Sequence, residues 1–209
     1  MKNNLAIIFP AGWRYITYTI FSFIIFWILD LDFLSSVSFI MMIILLFLYR
    51  NPEKQINNEQ EAILSPIDGS IVSIEELKDN KYRYKIDIDT SSLNISVMHS
   101  VMNSSVKSIR IVKGSRLSKK SKLFELLNEH AIIELCDEKD NEIKIIHRLR
   151  QSISPLDIKL IPQQKLQKGD RYGIAIYAST SIYLPSSAHL NVNILQNVSA
   201  AETSLAFFS

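Results

Sequence analysis

The hydrophobic rhythm of the chain changes near residue 60. Before that point apolar residues run almost unbroken: none is charged from Tyr15 to Leu29 or from Phe33 to Tyr49, and only Asp30, Leu31 and Asp32 lie between. The pattern predicts two helices joined by a tight acidic turn. Runs of 15 and 17 residues make helices of roughly 22 and 25 Å, short of a hydrocarbon core of ~30 Å unless their flanks are recruited. Pro10, Gly12 and Arg14 interrupt the apolar flank from Leu5 to Trp13, so the hairpin reads as transmembrane or as shallow and re-entrant. Trp13, Tyr15, Tyr18 and Trp27 are residues that gather at membrane interfaces. Two buried helices of a soluble protein are the plainer alternative.

Beyond residue 60 the period shortens to two. YRYKIDID (82–89) alternates strictly, SIVSIEEL precedes it and KDNK turns between them, so 70–89 reads as a β-hairpin; AIIELCDEKDNEIKII (131–146) reads as a second. Further strands are predicted at 94–98, 107–112, 157–161, 172–178, 181–184 and 190–195, and only 121–129 looks helical. In AIYASTSIYLP (175–185) the small residues Ala178, Ser179, Thr180 and Ser181 read as a break between two strands. The expected fold is mainly β: a membrane hairpin and junction over 1–55, then a compact β-rich domain over 56–209.

Charge adds orientation. Lys2, Arg14, Arg50 and Lys54 flank the hairpin while Asp30 and Asp32 sit at its tip, so the positive-inside rule puts both termini and the β-rich domain in the cytoplasm, at the inner membrane. The net charge of +2 is too small to point to nucleic acid. The lone Cys136 excludes an internal disulfide and a cysteine-based structural zinc site, and no metal is expected. The basic run KGSRLSKKSK (113–122) reads as a solvated loop, or, on a membrane-held protein, as one that attracts anionic head groups.

Four segments resemble one family. FLYRNPEK (47–54) is similar to the junction that follows the hairpin in short bacterial phosphatidylserine decarboxylases. AILSPIDGSIV (62–72) resembles their Ser-Pro-Ala-Asp-Gly segment. KGDRYGIAIYAS (168–179) with IYLP (182–185) resembles the stretch leading to their Gly-Ser cleavage point, and VSAAETSLA (198–206) their closing Ala-Gly-Glu-Thr. Order and spacing match across nearly the whole chain.

The resemblance implies a self-processing proenzyme with a compact decarboxylase-like domain. Ser179 attacks the carbonyl before it, the chain is cut between 178 and 179, and a pyruvoyl group is left on the new N-terminus. That carbonyl condenses with an amino group and takes up the electrons released on decarboxylation. Asp68 matches the family's histidine-orienting aspartate, but the histidine position itself falls on Ser105, whose hydroxyl is no base near pH 7. His99, six positions earlier, is the candidate replacement if the strand register shifts. His130 and His147 read as surface or strand residues and His189 as a loop residue. Ala178 stands in place of the family's glycine, where a left-handed backbone would cost roughly 1–2 kcal/mol; the Ser179–Tyr183 segment is one residue short, and Ala201 replaces a second glycine, read as a turn adjustment.

The implied activity is conversion of phosphatidylserine to phosphatidylethanolamine. Its partners are a phospholipid substrate and the membrane, with a homo-oligomer or the pairing of the two cleaved chains expected. The alternatives are a non-cleaving relative that binds lipid or a partner at the membrane, and a lipoyl-like sandwich, which lacks the lysine hairpin that would carry a prosthetic group.

Overall fold

The computed structural model describes residues 7–79 and 81–208. Two compact units divide between Glu53 and Lys54. Lys2 of the orientation argument and residue 80 of the KDNK turn lie outside the described residues.

The first unit is a helical hairpin, α1 (Trp13–Ile28) and α2 (Asp32–Leu48), with Asp30 in the left-handed region (φ 55) at its tip. Pro10–Gly12 forms a 3-10 turn after an extended Phe9, which prevents the N-terminal flank from lengthening α1. The chain ends are tied together where Phe9 N–H donates to the Tyr49 carbonyl and Asn51 N–H to that of Ile7, both at 2.8 Å. Tyr49 stacks on Tyr15 at 5.8 Å and lies where a Cβ on Gly12 would fall 2.5 Å from its ring, so only glycine fits there. Phe23 and Phe39 meet between the helices at 5.9 Å.

The helices lie within about two residues of the predicted runs. None among the described residues, however, is long and apolar enough to cross a membrane. Their 16 and 17 residues span about 24 and 26 Å, and the flank expected to extend the first turns away at Pro10–Gly12.

The second unit is mainly β. In chain order its strands are β1 (Ala62–Leu64), β2 (Gly69–Glu76), β3 (Tyr84–Asp89), β4 (Val97–His99), β5 (Ser104–Val112), β6 (His130–Cys136), β7 (Glu142–Leu149), β8 (Asp157–Ile158), β9 (Lys165–Leu166), β10 (Arg171–Ile174), β11 (Ala178–Leu184), β12 (Ala188–Leu190), β13 (Asn197–Val198) and β14 (Ser204–Phe208). One helical turn, α3 (Phe124–Leu127), precedes β6. An eight-stranded sheet runs β13-β2-β3-β11-β7-β6-β5-β9, beside three-stranded sheets β1-β14-β12 and β4-β10-β8. Alternation drives the large sheet: in β7, Ile143, Ile145, His147 and Leu149 point inward while their neighbours face out. Ile143, Ile145 and Leu149 join Ile71, Ile86, Ile88, Ile133 and Ile182 in one core, each such apolar side chain contributing about 1.5–3 kcal/mol on burial.

The predicted break at 178–181 is instead the start of one continuous strand, β11. Polar side chains are tolerated there because each finds a partner on β3 or β7. The true break is the preceding segment, 175–177, where Tyr177 adopts φ 56. The strand predicted at 157–161 shrinks to β8, and that predicted at 190–195 is not formed: β12 ends at Leu190 and 191–195 are loop and turn. The helix predicted over 121–129 shrinks to α3, because the Asn128 amide donates to the Leu117 and Leu149 carbonyls and turns the chain into β6.

Candidate active site

Ser179 lies at the second position of β11, directly across from Asp89 on β3 and from Arg148 on β7. Its hydroxyl donates to Asp89 Oδ1 at 2.7 Å, and two residues on, Ser181 repeats the contact with Asp87 Oδ1 at 2.5 Å. The period of two in YKIDID and in STS creates both pairs, since aspartates and serines share the outer face of the sheet. Asp89 also accepts from Arg150 Nη1 at 3.0 Å and from Lys119 Nζ at 3.0 Å. The basic run is therefore not wholly solvated: Lys119 reaches Asp89, and Arg116 and Lys113 pair with buried Glu129.

The backbone before Ser179 is strained and held. Tyr177 takes the left-handed region, which costs a non-glycine residue roughly 1–2 kcal/mol. Its carbonyl accepts from Arg150 N–H at 2.9 Å, and its ring lies 4.5 Å from the Arg150 guanidinium. Ala178 itself is not left-handed, so the strain expected from its replacing glycine falls one residue earlier. The Ala178 carbonyl accepts from Thr90 N–H at 2.9 Å. A hydroxyl on a carboxylate, next to a carbonyl whose oxygen faces an N–H donor, has the components of an intramolecular acyl shift. Ser179 and Ser181 also wall a cavity of about 280 Å3 with Lys85, Lys119, Lys122 and Arg148.

Asp68 is held close by but in another role. Lys54 Nζ lies 3.1 and 3.2 Å from its two oxygens, Ala200 N–H donates to Oδ1 at 2.7 Å, and the Asp68 carbonyl accepts from the Thr90 hydroxyl at 2.8 Å. Its link to the Ala178–Ser179 segment thus runs through Thr90. His99, on β4, is buried; its Nδ1 lies 3.2 Å from the Val97 carbonyl and its Nε2 has no hydrogen-bond partner among the described residues. Burial and then the Arg171 charge push its imidazole down to about 4, so it is neutral at pH 7. Neither Asp68 nor Ser179 is hydrogen-bonded to it. Ser105 donates to the Cys136 carbonyl at 3.4 Å and lines a separate cleft of about 1290 Å3, three strand spacings from β11, about 14 Å along the sheet.

Asp89, Thr90 and Arg150 are absent from the sequence-based site, since their roles arise only when β3 and β7 flank β11. His147 is a second surprise. It is fully buried, with Nδ1 2.8 Å from the Thr180 hydroxyl and Nε2 2.7 Å from that of Tyr172. Burial pushes the imidazole down to about 3 and the Tyr172 phenol upward. Both nitrogens are satisfied on the core side of β11, opposite the Ser179 hydroxyl, which marks a structural network; the alternation of EIKIIHRL was the signal for it.

The family model for phosphatidylserine decarboxylase matches residues 43–206. The chain is similar to curated proteins named phosphatidylserine decarboxylase proenzyme: that of Amoebophilus asiaticus is 27% identical over 78% of this chain and 74% of its own. For Wolbachia pipientis wMel the figures are 29%, 77% and 74%, and for Streptomyces avermitilis 28%, 76% and 72%.

Proposed function

The chain belongs to the phosphatidylserine decarboxylase family, and from that premise we propose that it is a proenzyme that cuts itself between Ala178 and Ser179 and decarboxylates phosphatidylserine to phosphatidylethanolamine. The observation that carries this reading is the 2.7 Å hydrogen bond from the Ser179 hydroxyl to Asp89, made beside a carbonyl that faces the Thr90 N–H. Asp89 accepts the hydroxyl proton as Oγ bonds to the Ala178 carbonyl carbon. The charge that develops on the carbonyl oxygen is met by the Thr90 N–H. The C–N bond then breaks, the amide nitrogen leaves as an amine, and an ester joins Ala178 to the Ser179 side chain.

Loss of the Ser179 Cα proton expels Oγ and frees Ala178 as a carboxylate. Water converts the remaining enamine, through its imine tautomer, to a ketone and ammonia, which closes the atom balance. Residue 179 fits the pyruvoyl group this would leave, because it lines a cavity and its own Cα, Cβ and carbonyl carbon supply the three carbons. That group supplies an electron sink for decarboxylation; the residues around it bind, orient and screen the substrate.

The membrane is the second part of the proposal. Phe21, Ile25, Trp27, Ile28, Phe33 and Ile40 are all exposed on α1 and α2, which supports burial of the hairpin in the cytoplasmic leaflet of the inner membrane without crossing it. After cutting, residues 179–209 remain paired through β11 with β3 and β7, so the two fragments stay associated.

Intact mass of the purified full chain tests the reading. It predicts fragments 1–178 and 179–209, the second carrying a carbonyl that phenylhydrazine labels, and Ser179→Ala stops both. A wild-type chain that stays whole after prolonged incubation overturns it in favour of a non-cleaving relative.

A further inference from the structure

We propose that the cavity beside Ser179 contains an anion subsite, built on Arg148, that holds the phosphodiester of the phospholipid head group. Four cationic side chains, Lys85, Lys119, Lys122 and Arg148, line this cavity against the carboxylates of Asp87 and Glu125. Two of the cations are already engaged, Lys85 with Asp87 and Lys119 with Asp89. Arg148 is not: its Nε is buried without a hydrogen-bond partner among the described residues, and its guanidinium carbon lies 5.6 Å from the Phe124 ring centroid. A buried donor left unmade is expensive, and a planar guanidinium suits the paired oxygens of a phosphate.

Position selects the ligand. Arg148 is the cross-strand partner of Ser179, so the two Cβ atoms stand roughly 5 Å apart on one face of the sheet. In phosphatidylserine only the serine Cβ and Oγ separate the reacting carbon from phosphorus. Both residues line the same cavity, so an anion bound by Arg148 shares it with a reacting carbon held at residue 179. The substrate carboxylate is the wrong occupant, because its charge leaves in the transition state and an arginine would stabilise the ground state instead. Lys122, exposed at the cavity rim and in no ion pair among the described residues, adds a second and weaker contact. The assignment rests on the decarboxylase reading for its ligand and on the cavity alone for its chemistry.

Calorimetric titration of full-length Ser179→Ala protein with sn-glycero-3-phosphoserine, free serine and inorganic phosphate is the test. Head-group binding is expected to exceed that of serine and of phosphate by at least about tenfold. Arg148→Gln is expected to weaken it by about 10- to 100-fold, Arg148→Lys by less, and Lys122→Gln by a few-fold. Thermal unfolding of each variant separates lost binding from lost packing on Phe124, since the lysine variant retains charge. Undiminished binding in Arg148→Gln, or serine or phosphate binding as tightly as the head group, overturns the subsite. If wild-type chain is never cut but binding depends on Arg148, the subsite stands and the decarboxylase reading falls. If it is cut and turns over with an unchanged KM in Arg148→Gln, the reverse holds.

Discussion

At the scale of single residues, the site depends on which group takes the Ser179 proton. The family's histidine position is Ser105, in a different cleft, and His99 is committed to the Val97 carbonyl; the hydroxyl rests on Asp89. Asp89→Asn keeps the size and an acceptor oxygen but removes the base. It should slow self-cutting by about 10²- to 10⁴-fold, measured by mass spectrometry of freshly synthesised chain over time, while His99→Gln should leave that rate within about twofold. Equal slowing in both variants would return the role to the histidine. Motif order singles out Ser179 and Asp68, and the structure pairs Asp68 with Lys54 and the Ala200 N–H and not with a histidine. Asp89 was not legible, because its value comes from pairing with β11, and a strand shows its neighbours only when folded. YKIDID showed that Asp87 and Asp89 share a face without showing what stands opposite.

At the scale of elements, the two hairpins β2–β3 and β6–β7 were readable from alternation and lie where it put them. Only the second half of β11, 181–184, was, since serine and threonine hide the start of the strand from any hydrophobicity count. Thr180 faces His147 in the core while Ser179 and Ser181 face carboxylates outside. Loops carry the remaining misreadings, and they also store strain. Leu195, in a turn after β12, is exposed and sits at φ 69, with its N–H donating to the Ile71 carbonyl at 2.8 Å. Glycine takes this conformation freely and little packing would be lost, so Leu195→Gly should stabilise the fold by about 0.5–1 kcal/mol. A higher urea midpoint at unchanged slope is the expected result; a lower midpoint would show that the leucine makes contacts worth more than its strain.

At the scale of the molecule, the hydrophobic rhythm changes near residue 60, and the two compact units divide between Glu53 and Lys54. Two buried histidines set the acid limit of the β-rich unit. His99 and His147 have folded values of about 4 and about 3, below the ~6.5 of an unfolded histidine. The unfolded chain therefore binds protons first as pH falls. Their contribution is complete above about pH 6.5 and is lost as pH descends toward those folded values, with a slope approaching ~1.4 kcal/mol per pH unit for each. Between pH 6 and 5 the pair should remove about 2 kcal/mol, seen as a falling urea midpoint before most carboxylates titrate. A midpoint flat to pH 5 would mean that these imidazoles are already solvated in the native protein.

The interior place of β11 in the large sheet has a consequence for the life of the molecule. The proposed cut, after its first residue, would leave the structure standing but turn one polymer into two pieces that were never made apart. Renaturation of the cut form would then be second order, faster in concentrated samples, whereas uncut Ser179→Ala protein would renature at a rate indifferent to dilution. Maturation on this account is a one-way passage: the chain assembles itself once, and the working form holds its shape by the slowness of its separation.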